Sequence, residues 1–118
     1  MSTPQINLLV IRTIQPKTLA EFYELLGMEF QYHQHGKGPF HYAATLNDFV
    51  FEIYPLLKNQ QEVDKSLRLG FTVPHLDQLI LQLKKNNIEI IKEPTQMEWG
   101  YVAIVKDLDG RKIELKEA

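Results

Sequence analysis

The sequence predicts an α+β domain of two tandem βαβββ modules, forming a curved, cup-like mixed sheet with the helices outside. Three observations predict it. An order of strand, helix and three strands occurs once, and the same order recurs after a polar stretch rich in Gln and Asn. Both helical stretches carry an apolar stripe, whereas several strands alternate apolar and polar residues. The chain has 118 residues and 44% hydrophobic content, enough for one core without disulfides.

The first module is expected over about 5–56. Ile6 to Arg12 is apolar and β-branched, as in a buried strand. Pro16 suits a helix start, Leu19, Phe22, Tyr23, Leu25 and Leu26 recur at helical spacing, and Gly27 supplies the stop. Met28 to Gln34, Phe40 to Leu46 and Phe49 to Tyr54 read as strands, joined by turns at Gly36-Lys37-Gly38-Pro39 and Asn47-Asp48. A linker follows over about 57–66, and the second module over about 67–117. Leu67 to Val73 is a strand, and Pro74 to Asn87 a helix with Leu76, Leu79, Ile80 and Leu83 as its stripe. Ile88 to Glu93, Tyr101 to Val105 and Lys112 to Lys116 are strands, the last two joined by a hairpin at Asp107-Leu108-Asp109-Gly110. A repeat of this order supports both halves at once.

Composition excludes several classes. There are no cysteines, hence no disulfide scaffold, thiolate nucleophile or Cys-ligated metal. The net charge of −2 offers no strong field for nucleic acid or an anionic membrane. The basic pairs Lys84-Lys85 and Arg111-Lys112 read as solvated helix and turn positions. Met1 to Pro4 shows no signal-peptide pattern, and no apolar run approaches the roughly 20 residues of a membrane span. A cytoplasmic protein is expected.

Strand alternation nominates a lining. Leu67, Leu69, Phe71 and Val73 share one face of their strand, and Arg68, Gly70 and Thr72 the other. Glu52 lies between large apolar residues, and a lone buried carboxylate is expensive. Glu52 and Glu114 end equivalent strands of the two halves, and Arg68 opens the second half. They are expected to meet in a shared cup; sheet-edge charges in bulk water are the simpler alternative. His33 and His35 share a strand face and have spacing compatible with an ion, but solvated hairpin histidines explain them more simply. His41 is placed at the cup mouth and His75 near the second helix start. Tyr54, Trp99 and Tyr101 are placed near a ligand, with packing the alternative. Neither a phosphate loop nor a nucleophile elbow occurs.

The segment Phe22-Tyr23-Glu24-Leu25-Leu26-Gly27-Met28-Glu29 resembles the helix-to-strand signature of the vicinal oxygen chelate superfamily, which includes glyoxalases, bleomycin-resistance proteins and extradiol dioxygenases. Leu69-Gly70-Phe71-Thr72-Val73 with His75-Leu76-Asp77 resembles the opening of its second module. Asp107-Leu108-Asp109-Gly110-Arg111-Lys112-Ile113-Glu114-Leu115 resembles its closing hairpin, with Leu108 in place of proline. The resemblance covers nearly the whole chain. It implies four metal-ligand positions, on the first and last strands of each module. Glu52 and Glu114 match the closing positions, Arg68 the one opening the second module, and Asn7 or Leu8 the one opening the first. Arg has no lone pair for a metal, so no cofactor is expected, with a divalent ion on Glu52 and Glu114 as the alternative. The implied function is binding of a small polar or anionic molecule in the cup. Ligand contacts are expected from Asn7, His41, Tyr54, Arg68, Thr72, Trp99 and Tyr101. A metal-dependent lyase or isomerase with catalytic Glu52 and Glu114, and a non-catalytic sequestering protein, are the alternatives. Whether the chain is an enzyme stays open; a dioxygenase is a further enzymatic option. A homodimer is expected, since a chain this short exposes much sheet surface.

Overall fold

The computed structural model describes residues 2–118. The chain forms two compact units that divide between Val63 and Asp64. The first contains β1 (Leu8–Thr13), α1 (Pro16–Leu25), β2 (Gln31–His33), β3 (His41–Leu46) and β4 (Phe49–Pro55). Its four-stranded sheet runs β1-β4-β3-β2 and is open at both edges. β1 lies parallel to β4, and the other pairs are antiparallel. The second contains β5 (Leu69–Val73), α2 (Leu76–Lys85), β6 (Ile90–Met97), β7 (Gly100–Lys106) and β8 (Lys112–Glu117), with the same arrangement, β5-β8-β7-β6. The βαβββ order therefore occurs twice.

Each helix covers one face of its sheet. From α1, Leu19, Ala20, Phe22 and Tyr23 are buried. The Tyr23 ring meets Phe51 of β4 edge-on at 4.9 Å. From α2, Leu76, Leu79, Ile80 and Leu83 are buried. Full burial of such a side chain is worth about 1.5–3 kcal/mol, so these stripes do more to fix the helices than propensity does.

The helices stop by the same device. Gly27 has φ +107 and Asn87 φ +60. Met28 donates back to the Tyr23 carbonyl and Ile88 to that of Leu83, while Gly27 and Asn87 donate to Glu24 and Lys84. This is the Schellman pattern, with Asn in the second module where the first has Gly. The α2 start is capped from a distance: the Leu76 amide donates to Glu117 Oε1 of β8 at 3.1 Å, placing a carboxylate at the positive helix end.

Three expectations are corrected. β2 begins at Gln31 rather than Met28, because residues 28–30 complete the α1 stop and lead out of it. β6 runs through Pro94 to Met97, where the sequence suggested a stop at Glu93; register shifts between Ile90, Lys92 and Thr95 absorb the missing proline donor on an edge strand. Arg111 is not a solvated turn residue. It is 1% exposed, and its Nη1 donates to Asp107 Oδ2 and Asp109 Oδ2, each at 3.1 Å. The two carboxylates supply the partners that burial of a guanidinium requires. Among the described residues, no helix is long and apolar enough to cross a membrane.

Candidate functional site

The sheet face opposite α1 gathers most of the first module's chemistry. Registers set its rows. Gln31 of β2 stands beside Ala43 of β3, Ala43 beside Glu52 of β4, and Glu52 beside Val10 of β1. One step along, His33 stands beside His41, and Tyr54 beside Arg12. Continuing the β3–β4 register sets His41 against Tyr54, and their rings stack at 4.1 Å with 8° between planes. Side chains two apart share a face, so Glu52 and Tyr54 point away from α1 while Phe51 and Ile53 point into the core.

His41 is fully buried. Its Nδ1 lies 3.2 Å from the Pro39 carbonyl, which can only accept, so Nδ1 carries the proton. Nε2 then presents a lone pair, and it sits 3.3 Å from Glu52 Oε2. The Tyr54 hydroxyl is 3.4 Å from the same nitrogen. Because the rings are parallel, that hydroxyl lies above the imidazole plane rather than along its in-plane lone pair. Two acceptors therefore face one another at Nε2 and Oε2 unless a proton or a cation lies between them.

His33 and His35 complete the group. Their rings lie 4.7 Å apart, and each is within 4.6 and 5.1 Å, respectively, of the His41 ring. One ligand atom from each of His33, His35, His41 and Glu52 falls within 4.8 Å of every other. His33 Nε2 is buried with no hydrogen-bond partner among the described residues. Such an orphan costs about 1–3 kcal/mol. The Tyr54 phenol is held above its ordinary range, first by desolvation and then by the Glu52 charge, with Arg12 opposing. The Arg12 guanidinium lies over the Tyr54 ring at 4.9 Å and donates to the Pro55 carbonyl. Beside this group opens a hollow of about 670 Å³, whose walls include Leu8, Phe30, Thr45 and Val50 together with His33 and Glu52.

The second module's corresponding face carries Gly70 beside Glu114 and Thr72 beside Lys116. A Cβ on Gly70 would lie 3.9 Å from Glu114 Oε2, so the two groups are in contact range. Arg68 precedes β5 by one residue and is exposed, as is Thr72. Trp99 is 53% exposed in the turn before β7. Tyr101 departs from its expected place on a ligand wall. It shares the Ala103 and Val105 side of β7, and its hydroxyl donates to Asp77 Oδ1 of α2 at 2.8 Å. That bond, followed by burial, raises its phenol above the ordinary range. His75 is the α2 N-cap, with φ +51.

Registers also decide between Asn7 and Leu8. Val10 lies beside Glu52 as Gly70 lies beside Glu114, so Leu8, two residues earlier, is the counterpart of Arg68. Asn7 lines the hollow and gives its carbonyl to the Val50 amide at 2.9 Å. The four-strand metal set implied by the resemblance thus contains a leucine without donor atoms and an arginine without a lone pair. That set does not fit a metal, and no chemistry is derived through it. The sequence reading missed the clustering of His41 and Glu52 with His33 and His35. The tight turn at Asn47-Asp48 held the signal, since it fixes which β3 residue meets which β4 residue.

Two open four-stranded mixed sheets, each βαβββ with one helix, define a glyoxalase-type fold. The Glyoxalase/Bleomycin resistance protein/Dioxygenase superfamily model matches residues 5–115, and the chain belongs to that superfamily. Solved structures agree. TnmS3, an antibiotic binding protein from Streptomyces sp. CB03234, is 20% identical with a TM-score of 0.77, covering 99% of this chain and 98% of its own. A glyoxalase/bleomycin resistance protein from the same Streptomyces is 20% identical with a TM-score of 0.74, covering 95% and 99%. Oxidase ChaP-H2 is 15% identical with a TM-score of 0.78, covering 99% and 95%. A search of curated proteins gave no significant match. At these identities the structural likeness speaks for the fold.

Proposed function

We propose that this chain binds a small polar or anionic molecule and that the first module's hollow receives it. The observation that carries this reading is the hollow itself, about 670 Å³, with Glu52, His33 and Thr45 set among Leu8, Phe30 and Val50. Ligand pockets of roughly 300–1,000 Å³ commonly combine apolar walls with a few polar anchors. Glu52 is the anchor for a hydrogen-bond donor on the ligand. Separately, the second module exposes Arg68 and Thr72, a guanidinium and a hydroxyl suited to a carboxylate or phosphate. Antibiotic binding by TnmS3 accords, by analogy of fold alone, with the binding of some small molecule. The reading needs no ion on the family's four-strand set, because Leu8 and Arg68 cannot ligate.

A panel of small polar molecules with hydroxyl, amide or ammonium donors, together with small carboxylates and phosphates, titrated into nitrogen-15-labelled protein, tests it. At least one donor-bearing compound should shift the amides of Ala43, Thr45 and Glu52 saturably, and Glu52→Gln should weaken its binding about tenfold or more, the loss of one charged hydrogen bond. An anion should bind that variant no more weakly, because the carboxylate repels it. If no compound moves those amides while the spectrum stays that of a folded protein, the reading fails.

A further inference from the structure

We propose that His33, His35, His41 and Glu52 form a binding site for one divalent first-row transition ion, within the first module and sharing only Glu52 with the family's four-strand ligand positions. Four donor atoms lie within 4.8 Å of one another. Tetrahedral ligation at about 2.0–2.1 Å sets ligand atoms roughly 3.3 Å apart, so the group must contract. The chain has the freedom to do so. His35 is exposed in the β2–β3 connection, next to Gly36, which has φ +57 and open space around it.

The other three donors are held in place. His33, His41 and Glu52 sit on three adjacent strands. His41 is oriented by its Nδ1–H donating to the Pro39 carbonyl and by stacking on Tyr54. A metal-ligating histidine characteristically gives its other N–H to a carbonyl or carboxylate, which fixes the tautomer and aims the lone pair. Two further observations point to a cation. His33 Nε2 is buried without a hydrogen-bond partner among the described residues, and His41 Nε2 stands 3.3 Å from Glu52 Oε2, a pairing that needs a proton or a cation between the two atoms. One positive ion between these groups satisfies both. Three imidazoles and a carboxylate select zinc, copper, nickel or cobalt over magnesium and calcium.

The test is a titration of chelator-treated full-length protein with zinc chloride by calorimetry, paralleled by cobalt(II) visible absorption. No organic ligand is present, so a failed small-molecule screen and a failed metal titration are separate results. One ion per chain is expected, undisturbed by millimolar magnesium. His33→Ala, His35→Ala and Glu52→Gln should each weaken binding at least about tenfold, the lower end of what even outer-shell changes cost a metal site. His75→Asn, at the α2 N-cap, should leave it unchanged. His41→Ala removes a buried ring and can disturb the fold, so exposed His35 decides the matter. No zinc binding by folded wild-type protein, or binding that survives the His35 and Glu52 substitutions undiminished, overturns the proposal.

Discussion

Arg111 shows how far a residue can depart from the habits of its type. Arginine beside a hairpin turn is ordinarily solvated, and the sequence suggested as much. Here the side chain is 1% exposed and held by Asp107 and Asp109. Removing one member of a buried ion pair strands the other, at a cost of about 3–5 kcal/mol. Arg111→Ala should therefore lower the urea unfolding free energy by that amount. Lys112→Ala, at the exposed neighbour, should change it by no more than about 0.5 kcal/mol. Equal effects at both positions would contradict the pairing argument. The histidines teach a related lesson. His33 and His35 were legible as sharing a face, since their separation alone decides that. His41 and Glu52 join them only through pairing between strands, which no local pattern displays.

Elements were more legible than residues. Apolar stripes and turn residues located both helices and all eight strands, because each signal is local and physically direct. The errors fall where a neighbour overrides the local signal. Pro94 looked like a strand end, yet an edge strand with shifted register tolerates it. Leu67 and Arg68 looked like strand, but pairing with β8 begins only at Leu69. Gly100 is a position where the element depends on the absence of a side chain. Its φ is +140, and a Cβ there would come within 2.7 Å of Lys116 Cε. Gly100→Ala should destabilise the second module by about 1–3 kcal/mol, the range for a residue forced into sparsely populated backbone space. Lys116→Ala in the same chain should recover only the clash, because the backbone conformation is unchanged. Chemical denaturation of the single and double variants separates the two contributions. Full recovery in the double variant would show that crowding alone sets the cost.

For the whole molecule, the open sheets and exposed apolar residues such as Ile6, Leu8 and Trp99 favour self-association. A homodimer is predicted: light scattering at tens of micromolar should give about twice the 13.8 kDa chain mass. A monomer mass at that concentration would count against it. The two modules have also diverged at matching positions. Leu8 stands where the second module has Arg68, and Val10 where it has Gly70. Duplicate architecture thus carries unlike chemistry on its two halves. The turn between Leu46 and Phe49 has a wider consequence. It works as an address: its length decides which side of the sheet each β3 residue reports to. One inserted residue that slid β3 by a step would send His41 beneath the helix and turn the Tyr42 phenol toward Glu52. The outline of the protein would survive and its histidine cluster would not. The same histidines in another chain would form this cluster only where the turn keeps the same register.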